Sequence, residues 1–228
     1  MDVFLIPTAT AERYELYYEA PDDDVVEEEE GTGVIARMKR RFGDMLREAE
    51  EWRQRRHEAQ PEPATLFARL RRKVMGFVVE RIAEQRLLWH MRRHTGICAR
   101  IPADVSEREA DQIIRSILKR DADHHLKWML IDLLLLALSA PLMVIPGPNV
   151  PGFYFTFQVV GHFLSMRGAG RGLAVARWTF SPSEELAELR HALTLAPSQR
   201  HRRFRELADR LRLEHLARFL DEVAAPSA

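Results

Sequence analysis

The alternation of apolar and polar positions divides the chain into segments of different character. Residues 3–8 and 13–19 are rich in β-branched and aromatic side chains and are separated by ATAE. This pattern predicts a small N-terminal β-hairpin. A lone hairpin is marginal in water, so it must dock on something. Over 34–60 the charges alternate in sign while Ile35, Met38, Phe42, Met45 and Trp52 recur at mostly helical intervals, which predicts a long, exposed amphipathic helix. PEPAT breaks it. A second helix over 63–94 then presents Leu66, Leu70, Val74, Phe77, Val78, Ile82, Leu88 and Met91 as one stripe, as a core-facing helix should. The two are expected to pack as a helical hairpin.

After Gly96, ICARIPAD reads as a short extended connection. Ser106-Glu-Arg-Glu109 is a capping box that opens a third helix, with Ile113, Ile114, Ile117 and Leu118 on its buried face. At the C-terminal end, SPSEELAELRHALTL and SQRHRRFRELADRLRLEHLARFLDEV read as two amphipathic helices separated by Ala196-Pro197. No internal repeat is visible.

The middle of the chain is different. Residues 128–145 contain 18 positions with one charge, Asp132, and as a helix would span about 27 Å, just enough for a bilayer core. Residues 150–166 add 17 positions without an acid or strong base, only His162 titrating near neutrality. PGPNVPG joins the two. Inside hydrocarbon every backbone polar group must be satisfied within its own segment, so a returning chain has to turn compactly. Pro146, Pro148 and Pro151 restrict the backbone, Gly147 and Gly152 free it, and Asn149 can cap exposed amides, which predicts a hinge. Lys119, Arg120 and Lys127 precede the first segment and Arg167, Arg171 and Arg177 follow the second, while the turn is uncharged. By the positive-inside rule both long ends face the cytoplasm, with Trp128 and Trp178 at the interface and Tyr154 toward the opposite side.

Centring the turn near Pro148 sets Ser139 level with Gln158, and Asp132 level with His162 or Ser165. Asp132 and Ser139 share one helical face, and Gln158, His162 and Ser165 share another. Ser139, Gln158 and Ser165 then form a polar ladder, and Gly161 with Ser165 has the spacing that lets helices approach closely. An ionisable group inside a membrane segment is costly, so Asp132 and His162 are a candidate proton-sensitive pair. The competing reading is that Asp132 snorkels to the interface, or pairs with His162 merely to orient the hairpin.

Charge sharpens this picture. The formal net charge is zero, yet residues 1–60 carry 16 acids against 9 bases while residues 61–127 carry 9 against 14. An acidic front therefore balances a basic middle, and PDDDVVEEEEGTG over 21–33 reads as a solvated linker. The single cysteine, Cys98, excludes an intramolecular disulfide. The first residues have neither a basic n-region nor a long apolar stretch, so no signal or transit peptide is expected. The arginine- and alanine-rich composition suggests a GC-rich bacterial genome.

Other motifs carry less. His90, His94 and Cys98 recur every fourth position, but Gly96 threatens helix continuity and no nearby carboxylate completes a tetrahedron, so no metal site is expected. RGAGRG at 167–172 lacks the features of a phosphate loop and reads as a flexible, basic exit from a membrane helix. RMKRR at 37–41 and RHRRFR at 200–205 are interspersed with acids, so nucleic acid is not an expected partner. No serine elbow, zinc signature or paired-carboxylate motif supports an enzyme, and no cofactor is expected.

The PGPNVPGFY turn between two apolar segments, together with ADVSEREADQII and the basic lead-in HHLKW, resembles the mitochondrial K+/H+ exchange-related proteins over residues 101–171. The resemblance implies a membrane protein connected with potassium/proton balance, as a component or regulator of exchange. It supplies no catalytic residues to carry over. The absence of an Arg-rich, acid-poor presequence departs from mitochondrial members and points to a bacterial relative in the inner membrane.

The expectation is thus a mainly α protein with a central membrane-inserted helical hairpin and a small N-terminal β-hairpin. Its organisation is a β-hairpin over 1–20, an acidic linker over 21–33, an amphipathic helical region over 34–126, the hydrophobic hairpin over 127–166 and amphipathic helices over 167–228. Expected partners are membrane lipid and either further copies of the chain or another membrane subunit, because two helices cannot enclose an ion path. The rival expectation is a soluble or peripheral helical interaction module with the hydrophobic hairpin as its core.

Overall fold

The computed structural model describes residues 1–8, 13–19, 87–139 and 150–224. Along these the chain forms β1 (Asp2–Pro7), β2 (Tyr14–Tyr17), β3 (Gly96–Pro102), α1 (Glu107–Ser139), α2 (Val150–Ala174), β4 (Arg177–Ser183), α3 (Glu184–Leu193), α4 (Pro197–Leu211) and α5 (Leu216–Ala224), with residues 87–91 helical ahead of β3. The linker at 21–33, the helix at 34–60, most of the helix at 63–94 and the hinge residues Pro146, Gly147, Pro148 and Asn149 lie outside the described residues. The chain divides into two compact units: Met1–Glu19 with Leu87–His124 and Ser165–Ala228, and Ala20–Arg86 with His125–Leu164.

The protein is mainly helical with the small N-terminal strand pair that the pattern predicts. β1 and β2 pair antiparallel, Phe4 opposite Tyr17 and Pro7 opposite Tyr14. The pair docks by adding β1, in parallel, to β3. β3 in turn pairs in parallel with β4, giving a four-stranded sheet in the order β2-β1-β3-β4. One expectation is corrected here: ICARIPAD contributes an interior strand rather than a connection. Arg177–Ser183 is a further strand that the pattern did not predict. Trp178 is half-buried on β4, and its Nε1 donates to the Gly172 carbonyl at 2.9 Å.

β1 is apolar at consecutive positions because both faces of the sheet are covered. Val3 and Leu5 enter one core with Ile97, Ala99 and Ile101 of β3, Ile114 and Leu118 of α1, and Ala169 of α2. Phe4 and Ile6 enter a second core with Leu186 and Leu189 of α3, Phe204 and Leu207 of α4, and Leu216 of α5. A fully buried side chain of this size contributes on the order of 1.5–3 kcal/mol. Val3, Leu5 and Ile6 are completely buried, so β1 anchors both layers.

Parallel strands need a long crossover, and between β3 and β4 that crossover consists of α1, residues 140–149 and α2. α1 starts where the capping box predicts: the Glu109 amide donates to Ser106 Oγ at 3.3 Å. Ile114, Ile117 and Leu118 are buried and Ile113 is half-buried, as expected. α2 begins at Val150, so Pro151 and Gly152 lie in its first turn and not in an irregular hinge. A proline fits there because the first turn lacks an intrahelical partner for its N–H anyway.

α2 also runs through RGAGRG to Ala174, correcting the expected flexible exit. Two of its glycines are close-approach points. A Cβ on Gly168 would stand 1.8 Å from the Leu88 carbonyl oxygen, and one on Gly172 would stand 2.4 Å from Met91 Sδ. The helix therefore continues here because its glycines let the 87–91 segment lie directly against it.

At the C-terminal end, Pro197 opens α4 as the sequence implies. The single helix expected beyond it is instead two. Arg212 adopts φ 57° and ψ 43° and ends α4. The Leu213 amide then bonds to the Ala208 carbonyl at 2.9 Å, a left-handed termination of the kind that usually employs glycine. The break turns Leu213, Leu216 and Leu220 into the second core.

No helix among the described residues is long and apolar enough to cross a membrane, so the expected pair of spanning helices is not supported. α2 is diluted along its length by Gln158, His162 and Ser165 and then by Arg167 and Arg171. α1 is charged through its first half and described only to Ser139, which leaves 140–145 of the expected first span outside the described residues.

Candidate functional site

The second unit contains the ends of α1 and α2 that flank residues 140–149. On α1, His125, Asp132 and Ser139 succeed one another at intervals of seven and so lie along one stripe. Asp132 and Ser139 are buried and His125 is half-buried, whereas Leu130, Leu133, Leu134 and Leu138 are exposed, Leu138 by 66%. This inverts the amphipathic pattern of a water-soluble helix. On α2 the same inversion is partial: Gln158 and His162 are buried while Phe163 is exposed.

Asp132 and His162 meet. The imidazole Nε2 lies 3.4 Å from Asp132 Oδ2, longer than an ordinary N–H···O bond but close for a charge contact. The other ring nitrogen is engaged as well: His162 Nδ1 lies 2.8 Å from Nδ1 of His125, with the ring centroids 5.1 Å apart and the planes tilted by 44°. Carboxylate, imidazole and imidazole thus form a continuous chain. Such a chain can hold or relay a proton, because each neutral imidazole presents one donor and one acceptor and an imidazolium two donors.

Among the described contacts, Ser139, Gln158 and Ser165 each bond outside the expected polar ladder. Ser139 Oγ donates to the Leu136 carbonyl at 2.7 Å, back-bonding to its own helix. Gln158 Nε2 reaches the Tyr154 hydroxyl at 3.5 Å, also within its own helix. Ser165 belongs to the first unit, where its Oγ accepts from Trp89 Nε1 at 2.9 Å. Asp132 thus lies against His162, a contact that the proton-sensitive reading and the orienting reading share. Of the hinge residues, Gly152 has its carbonyl bonded by Thr156 Oγ1 at 2.7 Å.

His125 is the residue that sequence reasoning missed. HHLKW reads as a basic lead-in, yet the seven-residue interval from His125 to Asp132 was available to mark them as sharing a face. His90, His94 and Cys98 lie on the 87–91 helix, the turn after it and β3 respectively, so the apparent helical series is broken. Among the described residues no group of three or more His, Cys, Asp or Glu is placed to hold a metal ion.

In the first unit, polar contacts stitch the helices to the sheet. Arg190 on α3 bonds Asp104 Oδ2 at 2.7 Å and also the Tyr14 hydroxyl. Burial raises the Tyr14 phenol above its ordinary value, and nearby Arg190 opposes that rise. Burial likewise pushes Tyr17 well above the usual phenol range, with Glu19 adding to it.

A family model described as mitochondrial K+-H+ exchange-related matches residues 3–171. No curated protein and no solved structure matches the chain.

Proposed function

The chain belongs to the mitochondrial K+-H+ exchange-related family, and on that premise we propose that it is a membrane-attached component or regulator of potassium/proton exchange. The observation that carries this reading is the buried Asp132–His162 contact beneath α1, whose leucines from Leu130 to Leu138 face outward. Polar groups inside and apolar groups outside is the arrangement a lipid environment favours, and an ionisable pair kept there is a place to hold a proton. The rival reading, in which the hydrophobic hairpin is the core of a water-soluble module, fits less well. Leu130, Leu134 and Leu138 point away from the interior they would have to fill.

The proposed location is the bacterial inner membrane, entered from its cytoplasmic side, with both ends of the chain on that side. Supporting it are Lys119, Arg120 and Lys127 ahead of the apolar half of α1, Trp128 at the transition, and Arg167 and Arg171 late in α2. Two helices leave the other sides of an ion path open, so the active form is proposed to be an oligomer or a complex with another membrane subunit. Its role is transport or regulation rather than enzymatic chemistry.

Reconstitution into vesicles with an imposed potassium gradient tests this reading. The wild-type protein should alter internal pH in a potassium-dependent way. Asp132→Asn, inserted in equal amount, should reduce that response by about tenfold or more, the scale of losing one differential interaction of roughly 1.4 kcal/mol. An unchanged response in Asp132→Asn would reduce Asp132 to an anchor.

A further inference from the structure

We propose that the outer edge of β4 is a self-pairing surface, at which a second copy of the chain adds its own β4, antiparallel, about a two-fold axis through Phe180. The surface lies in the first unit. The pairing stands or falls separately from the exchange reading, while supplying the contact between copies that an oligomer needs.

β4 is the last strand of the sheet. The Arg177 amide bonds the Thr95 carbonyl at 2.8 Å, and the Ala103 amide bonds the Ser183 carbonyl at 3.1 Å. Backbone groups alternate sides along a strand. Arg177, Thr179, Ser181 and Ser183 therefore turn theirs to β3, while Trp178, Phe180 and Pro182 turn theirs outward. Among the described residues no backbone group pairs with that outer side. An open edge is a template for another strand, and a proline is one way to blunt it. Pro182 does so at one end only, for Trp178 and Phe180 keep their amide donors.

What fits these donors is the same strand turned round. With Phe180 opposite Phe180 of the second copy, the two residues exchange a pair of backbone hydrogen bonds, and each Trp178 amide meets the Pro182 carbonyl of the other copy. Every outward donor is then used, and only the Trp178 carbonyl goes without a partner. The same register sets Phe180 beside Phe180 and Trp178 beside Pro182. Both aromatic side chains are half-buried against the first core, so each has area left for a cross-strand neighbour to cover. An axis through Thr179 would instead set Pro182 opposite Ala176, whose amide already bonds the Arg171 carbonyl at 3.0 Å. The Pro182 carbonyl would then be left unpaired.

Charge favours the same register. Arg177 falls opposite Ser183 of the second copy, one residue before Glu184. Arg177 and Glu184 are exposed, and among the described residues neither side chain takes part in an ion pair or hydrogen bond. Glu185 is already engaged by Ser183 and Arg210, which leaves Glu184 as the counter-charge. A two-fold axis makes this contact twice.

Cysteine cross-linking of the full-length protein, held in lipid or mild detergent, tests the pairing. Thr179 falls opposite Ser181 of the second copy as a non-hydrogen-bonded pair, with Cα atoms about 4.5 Å apart, within the disulfide range. Cys98 is the neighbour of Thr179 on β3, so these variants also carry Cys98→Ser. Thr179→Cys mixed with Ser181→Cys should give a disulfide-linked dimer on mild oxidation, and neither alone should do so. Cross-linking of Thr179→Cys to itself, or none in the mixture, would overturn the pairing. A second measurement leaves the cysteine in place. Arg177→Glu should weaken self-association in sedimentation by about tenfold or more, because like charges then meet, and adding Glu184→Arg should restore it. Equal association by all three proteins would overturn the proposal too. So would a monomer whose Trp178 and Phe180 amides resist hydrogen exchange, since another part of the chain would then cover the edge. None of these readouts involves cation flux, so an unchanged vesicle response in Asp132→Asn is a separate failure.

Discussion

Gly168 and Gly170 are two residues apart in one helix and face opposite circumstances. A methyl group on Gly168 would collide with the backbone of Leu88, whereas one on Gly170 would meet nothing within 4 Å. Gly168→Ala should therefore destabilise the fold by about 1–3 kcal/mol, as overpacking does. Gly170→Ala should stabilise it by about 0.5–1 kcal/mol by improving helix propensity. Thermal unfolding of the two variants checks the opposite signs. Ser183 presents another residue-scale case. Its hydroxyl accepts from the Leu186 amide at 3.4 Å and donates to Glu185 Oε2 at 2.8 Å. Glu185 is held below its ordinary value of 4.5, first by a backbone hydrogen bond, then by Ser183, with Arg210 contributing. A depressed carboxyl stabilises the fold above its unfolded value and loses that contribution as the pH falls through the folded one. Ser183→Ala should cost about 1 kcal/mol near neutral pH. That cost should shrink when melting is repeated well below pH 4.5, and a cost independent of pH would separate the cap from the carboxylate.

At the scale of elements, the helical periods were legible and the non-local strand pairings were not. β1 stands out as an unbroken apolar run, and α1 declares itself through Ser106 and Ile114, Ile117 and Leu118. β3 and β4 are hidden for physical reasons. β3 carries Arg100 and Pro102 among its apolar positions, and β4 mixes Trp178 and Phe180 with serines and a proline. Their pairing partners are set by contacts distant in sequence, which no local period encodes. The break at Arg212 was equally hidden, because a left-handed residue without glycine leaves no mark. Within the candidate site, matching depths across the turn brought Asp132 to His162. Ser139 and Gln158, set level by the same matching, instead each bond within their own helix. The Asp132–His162 contact makes an element-scale prediction. A double-mutant cycle with Asp132→Asn and His162→Gln should give a coupling energy between about 0.5 and 3 kcal/mol, as contacting buried groups do. Additive effects would mean that the two side chains merely lie near each other.

At the scale of the whole molecule, one unit is organised as a sheet covered on both faces, and the candidate site sits in the other. The first unit buries its apolar residues in two cores, while the described helix ends of the second leave leucines exposed around a buried carboxylate and histidine. Sequence patterning found the apolar segments and set Asp132 level with His162, but it did not bring His125 to them. The account depends on lipid covering those leucines. Fractionation of cells expressing the full chain, with carbonate extraction followed by mild detergent, measures this most directly. The protein should remain with membranes in carbonate and dissolve only in detergent. Release into carbonate would contradict membrane insertion and leave the exposed leucines to be covered by another protein.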